Sequence, residues 1–160
     1  MAQMQKIVPN LWFDTESEDA ANFYTSIFEN SKVLRVMLYG EAGPRPAGMV
    51  LTVTFQLEGQ EFTALNGGPE FKFNEAISLL VNCETQEEVD RLWDKLSDGG
   101  EKGPCGWLKD KFGVSWQITP TVLEKMLQDE DDDRANRVMK AMLQMGKIEI
   151  DVLEKAYAQG

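Results

Sequence analysis

The sequence predicts an α+β fold in which two βαβββ modules follow one another along the chain and C-terminal helices succeed them. Strand-like runs surround one amphipathic helix in residues 7–66, and the same order returns in residues 76–119. After Pro120 the apolar spacing becomes helical. We expect these segments, together with a helical extension over 121–160, to form a single domain that covers residues 1–160.

The first module begins with a short apolar run at residues 7–13, followed by an acidic stretch suited to a helix N-terminus. Thr15 and Glu18 have the spacing of a capping box. Five apolar side chains then recur on one helix face: Ala20, Phe23, Tyr24, Ile27 and Phe28. Three strands are predicted to complete the module, at residues 33–39, 49–57 and 61–66.

The second module repeats this order after a linker that contains Gly67, Gly68 and Pro69. Thr85 and Glu88 repeat the capping-box spacing. The helix stripe returns as Val89, Leu92, Trp93 and Leu96, and strands are predicted near Trp107 and over 114–119. Each helix covers one face of its sheet, so we expect the other faces to form a curved mixed sheet around a shared cleft.

The extension predicts three helices, which contain Val122–Leu127, Val138–Met145 and Ile148–Tyr157, the last ending at Gly160. The acidic run at 129–133 precedes Arg134. It lacks the glycine and the twelfth-position glutamate of an EF-hand loop, so we interpret it as a solvated helix start.

The composition excludes several classes of function. The net charge of −11 disfavours nucleic acids and anionic membrane surfaces as partners. The chain has no histidine and two cysteines, Cys83 and Cys105, whose spacing matches no metal or redox motif. No run approaches the length of a membrane span, and residues 1–6 lack a signal-peptide core. We therefore expect a cytoplasmic protein.

Several runs of the sequence resemble one known family. They are LWFD at 11–14, AANFY at 20–24, ALNGG at 64–68, VNC at 81–83 and, most specifically, GWLKDKFGVSWQI at 106–118. Together they resemble the PhnB-like family, which carries the label 3-demethylubiquinone-9 3-methyltransferase. It is a branch of the vicinal oxygen chelate superfamily, with glyoxalase I, bleomycin-resistance proteins and extradiol dioxygenases. The resemblance is expected to include the C-terminal helices.

The resemblance implies paired βαβββ modules, a concave sheet around a cleft and a homodimer. It also implies that metal ligands of the superfamily would fall near Pro9, Ala64, Ser78 and Gln117. Proline and alanine offer no side-chain donor, and neutral serine and glutamine oxygens bind divalent ions weakly. We therefore expect no metal ion and no other cofactor. The glycines also match no S-adenosylmethionine-binding fingerprint of the doubly wound kind.

The last predicted strand has two faces, in which Val114, Trp116 and Ile118 alternate with polar residues. We expect the polar face to line a pocket with Trp107, the tryptophan expected to be most exposed. The other three tryptophans are assigned to the core. The full set of predicted cleft residues is Phe62, Ala64, Asn66, Ser78, Trp107, Ser115 and Gln117. Glu61, Glu70 and Glu75 are the candidates for a general base.

Two functional hypotheses follow. The first is metal-free binding of a small, partly aromatic molecule in the cleft. The alternative is an enzyme, either the methyltransferase of the family label or another lyase, isomerase or transferase that uses a carboxylate in place of a metal. A dimeric scaffold with a collapsed cleft is a third, non-binding interpretation.

Overall fold

The structure is a computed structural model that describes residues 4–159, and the chain divides into two compact units, Met1–Phe73 and Asn74–Gly160. The first unit consists of β1 (Asn10–Phe13), α1 (Ser17–Ile27), β2 (Lys32–Leu38), β3 (Val50–Leu57) and β4 (Gln60–Asn66). The second begins with β5 (Ser78–Cys83), α2 (Gln86–Ser97), β6 (Glu101–Lys102), β7 (Trp107–Lys109) and β8 (Ser115–Pro120). It continues with α3 (Thr121–Leu127), α4 (Asp132–Leu143) and α5 (Ile150–Ala158). The predicted α+β fold with two βαβββ modules is confirmed.

The sheet of the first unit has the strand order β1-β4-β3-β2, with β1 parallel to β4 and the other pairs antiparallel. Paired residues share a face of a sheet. Val53 and Ala64 are paired and fully buried, whereas Thr52 and Leu65 are paired and half-buried. The first pair therefore lies on the face that α1 covers.

Helix α1 packs on this face through the predicted apolar stripe. Ala20 and Tyr24 are fully buried, and Phe23 is half-buried. The Tyr24 ring lies 6.0 Å from that of Phe55, which stacks on Phe62 at 5.4 Å. These aromatic contacts form the centre of the core of the first unit.

The N-terminus of α1 differs from the prediction. The helix is preceded by Glu16, which makes no side-chain capping hydrogen bond, so the capping box of Thr15 and Glu18 is wrong. Instead, the backbone N–H of Ser17 donates to Oδ1 of Asn66 at 2.9 Å. The cap is therefore supplied by the end of β4 and not by the helix's own sequence.

The sheet of the second unit has the order β5-β8-β7-β6, with β5 parallel to β8. Helix α2 is capped as predicted, because Oγ1 of Thr85 accepts a hydrogen bond from the Glu88 N–H at 3.2 Å. Its stripe of Val89, Leu92, Trp93 and Leu96 is buried. On the sheet, Leu108, Trp116 and Ile118 are likewise buried, as predicted for the last strand.

A buried carboxylate fixes the turn between β7 and β8. Asp110, which is 2% exposed, accepts hydrogen bonds from the N–H groups of Phe112 at 2.8 Å and Val114 at 3.1 Å. Its other oxygen accepts from Nε1 of Trp116 at 2.9 Å. Since a buried charge needs several partners, this network explains why these residue types occur together in the 106–118 run.

The three C-terminal helices have a small core of their own, formed by Leu123, Met126, Val138, Ile148 and Leu153. Asp131 caps α4 by accepting from the N–H groups of Asp133 and Arg134, so the acidic run is the predicted helix start. The predicted end of the last helix at Gly160 lies outside the described residues; α5 ends at Ala158.

Backbone contacts join these helices to the sheet of the second unit. The N–H groups of Cys105 and Gly106 donate to the carbonyls of Met145 and Gly146, both at 2.8 Å. The side chain of Gln86 donates to the Ile148 carbonyl at 2.9 Å and accepts from the Ile150 N–H at 2.7 Å. The extension therefore holds the loop between β6 and β7.

In residues 4–159, every helix is too short or too polar to traverse a bilayer.

Candidate functional site

A cavity of about 430 Å³ lies in the second unit, beside the β6–β7 edge of its sheet. Its lining consists of a tryptophan, a leucine, two acids, two lysines, a serine and the Gly103–Pro104 segment. The side chains are those of Glu75, Glu101, Lys102, Trp107, Leu108, Lys109 and Ser115. This volume is within the range that small-molecule pockets occupy.

Strand register explains why Trp107 and Lys109 both reach this cavity. The two residues are separated by Leu108, which is 1% exposed and faces the core. Alternate side chains of a strand share a face, so the indole and the ammonium group project from the opposite face. Lys109 is paired with Glu101 on β6 and with Ser115 on β8.

An ion pair joins two residues of the cavity lining. Nζ of Lys109 contacts the carboxylate of Glu75, which lies in the turn before β5. This hydrogen bond lowers the pKa of the Glu75 carboxyl and raises the pKa of Lys109. Glu75 is thus an ionised, solvated carboxylate, and it lacks the desolvation that a general base at neutral pH requires.

Ser115 is the most buried polar group of the lining. Its residue is 1% exposed, and its hydroxyl has no hydrogen-bond partner among residues 4–159. An unpaired buried hydroxyl costs free energy of about 1–3 kcal/mol. A ligand atom that paired with this hydroxyl would recover that cost.

Ser78 and Gln117 lie on the same face as Trp107 and Ser115, as the register of β5, β8 and β7 shows. Nε2 of Gln117 donates to Oγ of Ser78 at 2.9 Å. The structure therefore brings together four of the predicted cleft residues. Their role in ligand binding stays a prediction.

The other three predicted cleft residues lie elsewhere, on the α1-covered face of the first sheet. Phe62 and Ala64 are buried in the core, and Asn66 is 2% exposed. The amide of Asn66 caps α1 and donates to the Val50 carbonyl at 3.0 Å. As ligand contacts these residues stay a prediction, and the half-buried face of β4 carries Thr63 and Leu65 instead.

Of the three tryptophans assigned to the core from the sequence, two are buried as expected. Trp93 and Trp116 are buried. Trp12 is half-buried, donates from Nε1 to the Gly68 carbonyl at 2.9 Å, and meets the Phe71 ring edge-on at 4.9 Å. Its indole faces away from α1, because its paired residue is Leu65.

The remaining candidate bases are not brought into the cavity. The Glu61 carboxylate lies 3.4 Å from the guanidinium of Arg35 in the first unit, and Glu70 is exposed. Sequence reasoning missed Lys109 and Glu101. The signal that could have identified Lys109 is its position two residues after Trp107 in a strand.

The residues at the superfamily's metal positions do not fit a divalent ion. Ala64 is fully buried and has no donor, while the side chains of Ser78 and Gln117 are bonded to each other. In the part of the chain that the structure describes, no group of three or more Cys, Asp or Glu side chains has a metal-binding arrangement. Neutral oxygens alone are poor ligands for a divalent cation.

Comparison with known proteins agrees with this fold. The family model for 3-demethylubiquinone-9 3-methyltransferase matches residues 5–119. A PhnB protein from Bacillus cereus is 41% identical, covers 73% of this chain and 100% of its own, and superposes with a TM-score of 0.66. No protein among those with curated functions matches.

Two more distant structures share the fold alone. Protein PA1353 from Pseudomonas aeruginosa is 20% identical over 73% of this chain and 98% of its own, with a TM-score of 0.60. The fosfomycin resistance protein FosX from Listeria monocytogenes, complexed with Mn(II) and sulfate, is 17% identical over 79% of this chain and 100% of its own, with a TM-score of 0.55.

The family match stops at residue 119, before α3 begins. The expectation that the resemblance includes the C-terminal helices is therefore corrected, and these helices are an addition to the matched region. With two βαβββ modules in the order of its relatives and a family match over most of its length, the chain belongs to the 3-demethylubiquinone-9 3-methyltransferase (PhnB-like) family of the vicinal oxygen chelate superfamily.

Proposed function

We propose that the protein binds a small, partly aromatic molecule, without a metal ion, in the cavity of the second unit. One observation carries this proposal: the cavity is lined by a half-buried indole, Trp107, and by a buried hydroxyl, Ser115, that lacks a partner among the described residues. An aromatic ring can stack on the indole while a polar substituent pairs with the hydroxyl.

The donor chemistry supports binding without a metal. Gln117 donates a hydrogen bond to Ser78, and the two carboxylates of the cavity, Glu75 and Glu101, share it with Lys102 and Lys109. The two lysines offset the charge that would attract a divalent cation, so the polar groups of the cavity suit hydrogen bonding to an organic ligand.

The test is calorimetric titration of the chelator-treated protein with 2-naphthol, which has an aromatic body and one hydroxyl group. We expect saturable binding that added Mn²⁺ leaves unchanged. Trp107→Ala is expected to weaken binding about tenfold, from the loss of stacking. The matched control is Trp12→Ala, which removes a half-buried indole of the first unit and is expected to leave the affinity unchanged.

Absence of binding to the wild-type protein, or binding that requires Mn²⁺, would overturn the proposal.

The family description names a methyl transfer, so S-adenosylmethionine is titrated in parallel. We expect no heat of binding from it, because the glycines match no fingerprint for that cofactor. Binding of S-adenosylmethionine would favour the enzyme hypothesis.

The proposal includes a homodimer. Strand β2 is an edge strand, and five of its apolar side chains are exposed on its two faces: Val33, Leu34, Val36, Met37 and Leu38. An exposed apolar edge favours association. Lys32 adds positive charge to β2 in a chain of net charge −11, which favours the acidic surface of a second copy.

Sedimentation velocity tests the dimer. We expect a dimer for the wild-type chain and a monomer for Met37→Glu, whereas Val152→Glu, at an exposed apolar position of α5, is expected to stay dimeric. A monomeric wild type would overturn this part of the proposal.

The two cysteines are both free thiols, which supports a reducing, cytoplasmic location.

A further inference from the structure

We propose that the cavity of the second unit is selective for ligands that carry a carboxylate, and that this carboxylate replaces Glu75 on Lys109. The inference rests on the proposed function, because it names the chemical class of ligand for the same cavity. Lys109, Ser115 and Trp107 share one face of the sheet and line the cavity together.

Lys109 and Ser115 are directly opposite each other on the antiparallel strands β7 and β8, and both line the cavity. Side chains at such paired positions are neighbours on one face. A carboxylate placed between them can accept one hydrogen bond from the ammonium group through one oxygen, and another from the Ser115 hydroxyl through the other.

Trp107 and Lys109 are two residues apart on the same face of β7, which separates their Cα atoms by about 7 Å. That separation matches a molecule in which a carboxylate is attached to a flat, fused aromatic ring. The ring would lie against the indole while the carboxylate reaches Lys109.

Glu75 is the present partner of Lys109. Its side chain is 59% exposed and belongs to a turn outside the strands. Water can therefore solvate the Glu75 carboxylate when its ion pair with Lys109 breaks. Exposed ion pairs change an equilibrium by at most about fivefold. Glu75 therefore competes weakly with a ligand carboxylate, while it keeps Lys109 paired when the cavity is empty.

A cationic ligand is less well matched to this arrangement. It would lie beside the ammonium group of Lys109, in a cavity that also contains Lys102. It would have to attract Glu75 away from its present partner, and the other carboxylate of the cavity, Glu101, is paired with Lys109 on the sheet.

The experiment compares two probes of the same shape, 2-naphthoate and 2-naphthamide, by isothermal titration calorimetry. We expect the wild-type protein to bind 2-naphthoate about tenfold more tightly than 2-naphthamide. Lys109→Met is expected to abolish this preference. Glu75→Gln is expected to tighten 2-naphthoate about two- to fivefold and to leave 2-naphthamide unchanged, because only the charged probe competes with Glu75.

Lys125→Met is the matched control. Lys125 is an exposed lysine of α3 and is not among the residues that line the cavity. The substitution removes the same charge from the chain, so a preference retained in this variant excludes a general effect of net charge. Thermal unfolding of each variant confirms that it is folded.

The outcomes separate the two proposals. Equal affinity of the wild-type protein for 2-naphthoate and 2-naphthamide would overturn the carboxylate inference and leave the proposed function standing. Failure to bind either probe or 2-naphthol would overturn both. A preference that survives Lys109→Met, or tighter binding of 2-naphthylmethylamine than of 2-naphthoate, would also overturn the inference.

Discussion

The amide of Asn66 joins the end of β4 to the start of α1, accepting a hydrogen bond from the Ser17 N–H at 2.9 Å. The same side chain donates to the Val50 carbonyl at 3.0 Å, and its backbone carbonyl accepts from the Tyr39 hydroxyl at 2.6 Å. One buried polar residue thus satisfies backbone groups from a helix and a neighbouring strand. It is a structural centre of the first unit.

Asn66→Ala is expected to destabilise the protein by about 2–4 kcal/mol, because it removes the acceptor of the buried Ser17 N–H and the hydrogen bond to the Val50 carbonyl. Urea unfolding measures the change. Asn74→Ala is the matched control: its side chain makes one exposed hydrogen bond to the Ala76 N–H, so we expect a change below about 0.5 kcal/mol. Equal effects of the two substitutions would contradict the structural role of Asn66.

Gly106 and Gly113 both have positive φ values, of 84° and 90°, but differ in their surroundings. A Cβ at Gly106 would lie 2.8 Å from the Ile118 carbonyl oxygen, whereas one at Gly113 would have no neighbour within 4 Å. Gly113→Ala is therefore expected to cost about 1–2 kcal/mol, from backbone conformation alone.

Gly106→Ala adds a steric clash with backbone to the same conformational cost, so we expect it to exceed Gly113→Ala by at least about 1 kcal/mol. Chemical denaturation of both variants gives the comparison. A smaller loss at Gly106 than at Gly113 would show that the loop between β6 and β7 is not packed as described.

The two thiols are predicted to differ in reactivity. Burial, with a contribution from the nearby Glu88 carboxylate, raises the pKa of Cys83 to about 12. Cys105 is half-buried in the loop between β6 and β7. We expect a thiol reagent to modify one cysteine of the native protein at mildly alkaline pH. Cys105→Ser should abolish this reaction and Cys83→Ser should retain it; rapid modification of both thiols would contradict the burial of Cys83.

The raised pKa of Cys83 also predicts a pH dependence of stability. Because the folded pKa exceeds the ordinary value of 9.0, the unfolded chain loses its thiol proton first as the pH rises. The contribution of the Cys83 thiol to the free energy of unfolding is fully present below pH 9.0 and is lost as the pH rises toward about 12. Over that range the free energy of unfolding should fall less steeply in Cys83→Ala, which urea unfolding at several pH values would measure.

Gln86 is predicted to hold the C-terminal helices on α2. It contacts the Ile148 carbonyl and the Ile150 N–H, and Gln86→Ala removes both hydrogen bonds. We expect a loss of about 1–3 kcal/mol and faster amide exchange at Ile150. Gln128→Ala removes only an exposed contact with Glu124 and should leave that exchange unchanged. Unchanged exchange in Gln86→Ala would contradict the contact.

Local signals in the sequence predicted most of the fold. The cap of α2 joins residues three apart, Thr85 and Glu88, so the sequence alone reveals it. The cap of α1 joins Ser17 to Asn66, which are 49 residues apart, so no local pattern could identify it. The capping-box spacing of Thr15 and Glu18 was misleading because a distant strand supplies the acceptor.

The candidate site was predictable where one face of a strand was clearly apolar. In β8, Trp116 and Ile118 alternate with Ser115 and Gln117, and the burial of the apolar face was predicted correctly. In β4, Leu65 and Phe62 are both apolar although they lie on opposite faces, and Asn66 is polar although it is buried. Alternation therefore separated the two faces of β4 but did not show which one α1 covers.

The attachment of the appended helices to the cavity wall has a consequence for sequence change. Cys105 and Gly106 are held by the main-chain carbonyls of Met145 and Gly146. Side chains at those two positions can be exchanged without altering the acceptors. A deletion or insertion of one residue between α4 and α5 would shift both carbonyls and displace the segment that leads to Trp107. These two hydrogen bonds therefore depend on the length of this connection and not on its side chains.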